Sequence, residues 1–261
     1  MSSDQPAEPR LSAAIILIKP NPQNEGFQVL MALRNAQSDF APAVYVFPGG
    51  AVIESDKIAE VTPGVCYPAV IDDETGLGNG VRVAAIRELF EEAGILLAKF
   101  GDPPSEYITE ELAARLTEHR SQLQTRAISM LDLSAAEEMV FTTDLLYYFA
   151  HWITPEAFPK RFNTCFFITA APDNQTAAHD NAELTDSIWI SPQEALERYE
   201  RNDFPLVYAT EKQLRQLAQF PTMDAVFFSM KHITPPVIMP RVVTHNGKQV
   251  ILMPDEQDPT D

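Results

Sequence analysis

Nine residues constrain this chain more than any others: Arg87-Glu88-Leu89-Phe90-Glu91-Glu92-Ala93-Gly94-Ile95. On a helix turning by about 100° per residue, Glu88, Glu91 and Glu92 stand at i, i+3 and i+4, inside a sector of roughly 100°. Ile86, Leu89, Phe90, Ala93 and Leu97 fall on the other side, so the helix can be anchored in a core while its acids point outward. Like charges at these spacings repel and weaken a helix, so either water screens them or a cation sits among them. Oxygen donors in that number suit Mg²⁺ or Mn²⁺. A solvated acidic face is the ordinary alternative, and the surroundings decide between the two.

The 261 residues, 45% hydrophobic and 21% charged, are enough for one large or two small soluble domains with a real core. The 37 acids against 19 bases leave a formal charge of −18. That balance argues against a nucleic-acid partner held by a broad basic surface and against docking on anionic membranes. An anionic substrate would need local help, from metal. Cys66 and Cys165 lie far apart in no metal-ligand spacing, which reads as free thiols in a reducing compartment. No charged-then-apolar leader occupies Met1–Arg10, no apolar run approaches the ~18 residues of a membrane span, and Asp258–Asp261 carries no peroxisomal address, so the expected location is the cytoplasm. Oligomeric state is open, a homodimer among the options.

In chain order, the β-branched run Leu11–Ile18 and Phe27–Leu33 read as a hairpin, with Lys19-Pro20-Asn21-Pro22 ending its first strand. Val44–Phe47 reads as a strand, and Pro48-Gly49-Gly50 as a sharp turn that leaves carbonyls pointing at a ligand. Asp56–Gly80 reads as an irregular segment, either a lid or a tolerated surface excursion. The acidic helix is expected from near Gly80 to about Ala98, with Gly101 as its stop. A second helix is expected over Thr109–Gln124, and a third opens at the capping-box pattern Ser134-Ala135-Ala136-Glu137. Strands are expected at Leu145–Ile153, Phe162–Ala170 and Ser187–Ile190. Ser191-Pro192-Gln193-Glu194 starts a helix to Arg201, and Thr210-Glu211-Lys212-Gln213 another to about Gln219. Val237–Met253 reads as two strands around the turn Asn246-Gly247.

Gly50, Asp56 and Arg87–Ile95 together resemble the signature of the Nudix hydrolases: glycine, five residues, glutamate, seven residues, then Arg-Glu-aliphatic-any-Glu-Glu-any-Gly-aliphatic. The second half matches at every specified position. In the first half Asp56 replaces the glutamate, and residues 57–86 number thirty instead of seven. A box broken in this way, with Trp152-Ile153-Thr154-Pro155-Glu156, Arg161–Phe167 and Leu252-Met253-Pro254, is similar to the Nudix motif 19 branch, related to coenzyme A diphosphatases. The resemblance covers roughly Leu11 to Pro254. It implies an α/β fold, a Nudix α/β/α sandwich with a mixed sheet, appended helices and a C-terminal hairpin. The expected organisation is a polar segment 1–10, a single domain 11–254 with an insertion at about 57–79, and a tail 255–261. An upstream motif of coenzyme A hydrolases is met at Leu30, Arg34 and Phe47-Pro48-Gly49-Gly50, while Asn35, Asp39 and Ala43 depart from it. Asp39 puts an acid where that motif has a second arginine.

The implied activity is metal-dependent hydrolysis of a diphosphate linkage in a nucleoside-diphosphate-X compound. Coenzyme A or acyl-coenzyme A would be split into a phosphopantetheine and adenosine 3',5'-bisphosphate. ADP-ribose, NADH and nucleotide sugars are alternative substrates, and a non-catalytic nucleotide sensor is the alternative class. Mg²⁺ or Mn²⁺ would be held by Glu88, Glu91, Glu92 and the Gly50 carbonyl. Arg87, four residues before Glu91, is assigned to orient it. Glu88 is the first candidate for general base and Glu183 the second, with Asp180 and His179 as weaker neighbours. Arg34 and Arg161 are candidate substrate-phosphate contacts, with structural ion pairing as the alternative. Trp152 and Trp189 read as core.

Overall fold

The structure is a computed structural model, described over residues 5–23, 25–37, 41–68, 77–101, 103–178, 184–231 and 234–259. Strands Arg10–Pro20 (β1), Phe27–Arg34 (β2), Tyr45–Val46 (β3) and Gly49–Ala51 (β4) come first, then helices Glu54–Val61 (α1) and Val81–Ala93 (α2). Ala98–Phe100 (β5), Glu110–Gln124 (α3), Met130–Ala136 (α4), Met139–Phe141 (β6), Tyr147–Ile153 (β7), Phe162–Ala170 (β8) and Leu184–Ile190 (β9) follow. The chain continues through Pro192–Glu200 (α5), Tyr208–Leu217 (α6), Met223–Met230 (α7), Val237–Ile238 (β10), Arg241–His245 (β11) and Lys248–Leu252 (β12).

The main sheet is mixed, ordered β10-β7-β8-β1-β2-β3, with β4 on β1 and β9 on β2. β1 is the central strand, and its run of apolar, partly β-branched residues is buried on both faces. Ala13, Ile15 and Leu17 point into a core shared with Ala59 of α1, most of α2, Leu112, Leu116 and Leu123 of α3, and Met130 and Leu133 of α4. Ala14, Ile16 and Ile18 point the other way, onto Ala195 and Leu196 of α5, Leu214 and Leu217 of α6, and Val226 and Met230 of α7. Helices thus cover both faces, the α/β/α arrangement that the resemblance implies.

The site is positioned by a split in this sheet. β1 runs parallel to β8 from Arg10 to Ile18, but pairs with β2 only at Ile18–Pro20. Beyond that point the two hairpin strands part. β4 takes over the edge of β1 (Ser12 to Ala51, Ala13 to Gly50, Ala14 to Gly49), and β3 takes over that of β2 (Ala32 to Val46, Leu33 to Tyr45). Phe47 is buried where the chain crosses from one strand to the other.

Several elements differ from the sequence reading. The segment after Gly50 is not irregular at its start: α1 occupies Glu54–Val61, a stretch without glycine or proline ahead of Pro63. Asp72, Asp73, Glu74 and Gly76 lie outside the described residues. α2 stops at Ala93, because Gly94 adopts the left-handed conformation (φ 70°) and returns its N–H to Phe90 O. α4 opens at Met130 behind a Ser129/Asp132 capping box, and Ser134 lies in its last turn, its hydroxyl donating to Met139 O. α7, β5, β6 and β10 were not anticipated. Among the described residues no helix is long and apolar enough to cross a membrane.

Candidate active site

The interrupted box closes in space. Asp56 is the third residue of α1, where its Oδ2 accepts the Ile53 N–H at 3.0 Å. The same carboxylate takes a bidentate pair from Arg87: Nε to Oδ1 at 2.9 Å and Nη2 to Oδ2 at 3.0 Å. Arg87 spends its remaining N–H groups on Ala51 O (2.9 Å), Glu88 Oε1 (2.7 Å) and Glu91 Oε2 (3.3 Å). A guanidinium has five donors, and all of them are committed to the protein. Burial acts to lower the pKa of Arg87, but Glu88, Asp56 and Glu91 outweigh it and hold the group above its ordinary value. Arg87 therefore has no donor for a substrate. Its bidentate partner is Asp56, and the Glu91 contact expected from helical spacing is present beside it.

The acids do not face solvent as the helical wheel suggests. All of α2 is buried, with Glu88 at 6%, Glu91 at 7% and Glu92 at 4% exposure. Their cover comes from chain remote in sequence. Glu92 Oε2 accepts the Gly49 N–H at 3.0 Å. Glu91 stands between two arginines, Oε2 toward Arg87 and Oε1 toward Arg126 Nη1 at 3.2 Å. Burial pushes the Glu91 carboxyl above the usual carboxylate range, against the pull of both arginines. Arg120 and Gln124 of α3 donate to the carbonyls of Glu91 and Glu92 (2.8–3.0 Å), capping the C-terminal turn of α2 with positive charge.

Gly49 and Gly50 work by lacking a side chain. Instead of a free turn they form β4, at negative-φ or extended backbone. A Cβ on Gly49 would stand 2.6 Å from Ala13 O and Ala14 Cβ, and one on Gly50 would stand 2.4 Å from Glu88 Oε1. The strand can lie against the acidic helix only because both positions are bare.

Oxygen donors of this kind fit a hard divalent cation, and Glu88, Glu91, Glu92 and the Gly50 carbonyl are the residues that would hold it. As the side chains stand, no group of three His, Cys, Asp or Glu among the described residues has metal-holding geometry. The Glu91 oxygens are each turned to an arginine.

Other residues singled out from the sequence are placed as follows. Arg34 ends β2, on the strand that parts from β1 beside β4, and its Nε is buried with no hydrogen-bond partner among the described residues. Arg161 is buried, donating to Thr154 O, Ala7 O and Met239 Sδ, which makes it a fastening between segments. Glu183, Asp180 and His179, and also Asp39, lie outside the described residues. Trp152 packs in the core beside α5–α7, and Trp189 packs against the other core with Lys19 Nζ 4.3 Å from its ring centroid.

Two residues near α2 were missed. Glu60 of α1 is almost fully covered, 3.9 Å from Arg82 Nη1, and its Oε2 has no hydrogen bond among the described residues. Burial pushes its carboxyl up to about 7, against the opposing pull of Arg82 and of the Arg82 and Val83 N–H groups. Arg126 follows α3 at φ 60°. Its N–H bonds to Leu123 O and the next to Gln122 O, closing the helix in a geometry that favours glycine, at a cost on the order of 1 kcal/mol for arginine. No local pattern in the sequence marks either residue. Arg126, Arg87, Ile53, Ser55 and Ser129 wall a cavity of about 270 Å³ beside the acids. A second cavity of about 250 Å³ is lined largely by apolar residues such as Leu97, Tyr147 and Phe227; neither cavity has Glu88, Glu91 or Glu92 in its wall, but the first is lined by Arg87 and Arg126, which bond Glu91.

The family model described as the NUDT19 Nudix domain matches residues 69–217, more than half of the chain. The acyl-coenzyme A diphosphatase NUDT19 of Gallus gallus is 29% identical over 237 residues, covering 76% of this chain and 63% of that protein. That of Homo sapiens is 27% identical over 238 residues, covering 78% and 64%. A putative nudix hydrolase 7 of Caenorhabditis elegans is 28% identical over 199 residues, covering 76% and 58%. The chain thus spans roughly six tenths of the length of these relatives. Among solved structures, a NUDIX hydrolase from Alicyclobacillus acidocaldarius superposes with TM-score 0.70 at 24% identity, covering 87% of this chain and 98% of that one. The shared fold and the matched domain place this chain in the NUDT19 Nudix domain family.

Proposed function

We propose that this chain hydrolyses the diphosphate linkage of a nucleoside-diphosphate-X compound, with coenzyme A or an acyl-coenzyme A as the substrate class. The observation that carries the reading is the meeting of Glu88 and Glu92 with the bare strand Gly49–Ala51, with Glu91 beside them between Arg87 and Arg126 and with Asp56 locked onto Arg87. Relatives named acyl-coenzyme A diphosphatase support the choice of substrate.

In this reading Glu88, Glu91, Glu92 and the Gly50 carbonyl hold Mg²⁺ or Mn²⁺, which when bound neutralises the diphosphate and makes its phosphorus accessible to water. Glu88 takes the proton of the attacking water, and Glu183 is the second candidate for that role. Arg34 contacts a substrate phosphate. Arg87 and Asp56 fix the rotamers of Glu88 and Glu91, so the acids are oriented before substrate arrives. Arg161 gives three of its five donors to Thr154 O, Ala7 O and Met239 Sδ, which supports the ion-pairing and fastening alternative over a contact with substrate phosphate. Two free thiols, Cys66 half-buried and Cys165 buried, suit a reducing compartment such as the cytoplasm.

The test is turnover by purified protein with Mg²⁺ or Mn²⁺ on coenzyme A, acyl-coenzyme A, ADP-ribose, NADH and nucleotide sugars, with products identified by mass spectrometry. Adenosine 3',5'-bisphosphate and a phosphopantetheine are the expected products. E92Q should lower kcat at least a hundredfold while the protein stays folded. Inactivity on every compound would sink the hydrolase reading, and a fully active E92Q would sink the metal-ligand assignment.

A further inference from the structure

Glu91 has one arginine more than a cation ligand can keep. Arg87 cannot leave it, since its other four donors are tied to Asp56, Ala51 and Glu88. Arg120 is tied to backbone carbonyls of α2 and of Ala178. Arg126 is different. Its side chain is 48% exposed, and it makes a single side-chain hydrogen bond among the described residues, Nη1 to Glu91 Oε1 at 3.2 Å. It also forms part of the wall of the cavity bounded by Ile53, Ser55 and Arg87. A divalent cation beside Glu91 would repel this guanidinium, while the phosphate oxygens that follow the cation would attract it.

We propose that Arg126 is an exchangeable counter-ion: it holds the Glu91 carboxylate when no divalent cation is present and passes to a phosphate oxygen of the substrate once Glu91 turns to the cation. Arg126 is then a substrate-binding residue that also tunes metal affinity. The conformation of its backbone sharpens the assignment, because position 126 is held left-handed at φ 60°, where a glycine would fit without strain and an arginine does not. In a chain of formal net charge −18, with 37 acids to 19 bases, a half-exposed guanidinium beside the acids is a scarce partner for a diphosphate.

The proposal rests on the hydrolase reading and is tested separately from it. R126G removes the guanidinium and relieves the backbone, so it should fold at least as well as wild type, with R126A and R126K as companions. In substrate-free protein, Mn²⁺ titrated by calorimetry should bind about threefold more tightly to R126G, the gain from freeing an exposed ion-pair partner. KM for the best diphosphate substrate should rise about tenfold, the loss of one charge-assisted hydrogen bond, while R126K, which keeps the charge, recovers part of it. Unchanged Mn²⁺ affinity and unchanged KM in R126G overturn the proposal, and so does tighter Mn²⁺ binding with KM unmoved, which leaves Arg126 with no phosphate to hold. Folded wild type that neither binds Mn²⁺ nor turns over any substrate would overturn the hydrolase reading instead.

Discussion

The two faces of the sheet are built from different materials. On the side of α5–α7 the core is aliphatic and aromatic: Ile16, Ile18 and Val29 of the sheet meet Leu214, Leu217 and Val226, with Phe204 packed among them. On the side of α1–α4 an equally apolar core includes Ile15, Leu17, Val83 and Ile86, but α2 carries through it Arg82, Arg87, Glu88, Glu91 and Glu92, and α1 adds Asp56, every one under 9% exposed. One face stabilises the fold chiefly by burying area, with Glu211 of α6, paired to Arg215, the one carboxylate under 9% exposed among the described residues of α5–α7. The other buries charge, which costs several kcal/mol per ion unless each is matched. Here Arg87 and Asp56 match each other with two hydrogen bonds, and the acids are matched by arginines and backbone. A buried ionic network of that sort is a poor way to gain stability and a good way to hold carboxylates in one geometry.

The comparison is broken most directly by truncating one residue on each face. D56A takes from Arg87 its bidentate partner, leaving two buried donors without acceptors and the charge to Glu88 and Glu91 alone. It should lower the unfolding free energy by about 4 kcal/mol. It should also reduce activity per folded molecule, because Glu88 and Glu91 lose the group that fixes them. L214A, on the other face, opens a cavity at a residue with no exposed surface and should cost about 3 kcal/mol with activity per folded molecule retained. Urea unfolding with activity assayed in the folded baseline separates the two outcomes. If L214A loses activity as steeply as D56A, the division of labour between the faces is wrong.

The adjacent glycines sharpen the contrast within a single strand. At Gly49 the atoms that an added Cβ would meet are backbone and Cβ of β1, which cannot give way, so G49A should destabilise by about 3 kcal/mol. At Gly50 the obstacle is the end of the Glu88 side chain, which can swing aside. G50A should therefore cost about 1 kcal/mol or less in stability while cutting kcat strongly, since the displaced carboxylate is the proposed base and metal ligand. Two melting curves and two kcat values suffice. Equal loss of stability in both variants would show that Glu88 is as rigidly placed as the sheet itself.

What could be read from the sequence tracks how local its physics is. The acids of α2 were legible because three glutamates at helical spacing with an apolar opposite face admit few readings. The β1–β2 hairpin, α3, α5, β7 and β8 were legible from runs of one period bounded by turn residues. The burial of the acids was not, because apart from Arg87 their partners and cover come from Gly49, Arg120 and Arg126, none closer than 28 residues to the group it meets, and Arg87 is itself held by Asp56 from 31 residues away. Asp56 was recognisable as a motif position, yet thirty residues stood between it and its partner. α1 hid behind the glycines and prolines that follow it. α7, Met223–Met230, is apolar nearly all round and so has no amphipathic period to detect, while β5 and β6 are three residues each, too short to alternate.

The last consequence of crowding charge onto one face is that its stability must depend on pH. Glu60 provides the measurement. Burial raises its carboxyl from 4.5 to about 7, so folding favours the protonated form. The sign follows: whatever Glu60 contributes is fully present below pH 4.5 and is lost as pH rises through 7, because an ionised carboxylate must then be kept where desolvation opposes it. E60Q fixes that position in an uncharged form resembling the protonated acid. Wild type and E60Q should be about equally stable near pH 4.5 and should diverge above it. By pH 8 the variant should be the more stable by on the order of 2 kcal/mol, somewhat below the full shift because the site is not completely dry. L214A supplies the control, since its offset from wild type should stay constant across the same range. An E60Q curve parallel to that of wild type from pH 4.5 to 8 would mean that Glu60 ionises as it does in water, and that the charged face of this protein is better solvated than its packing indicates.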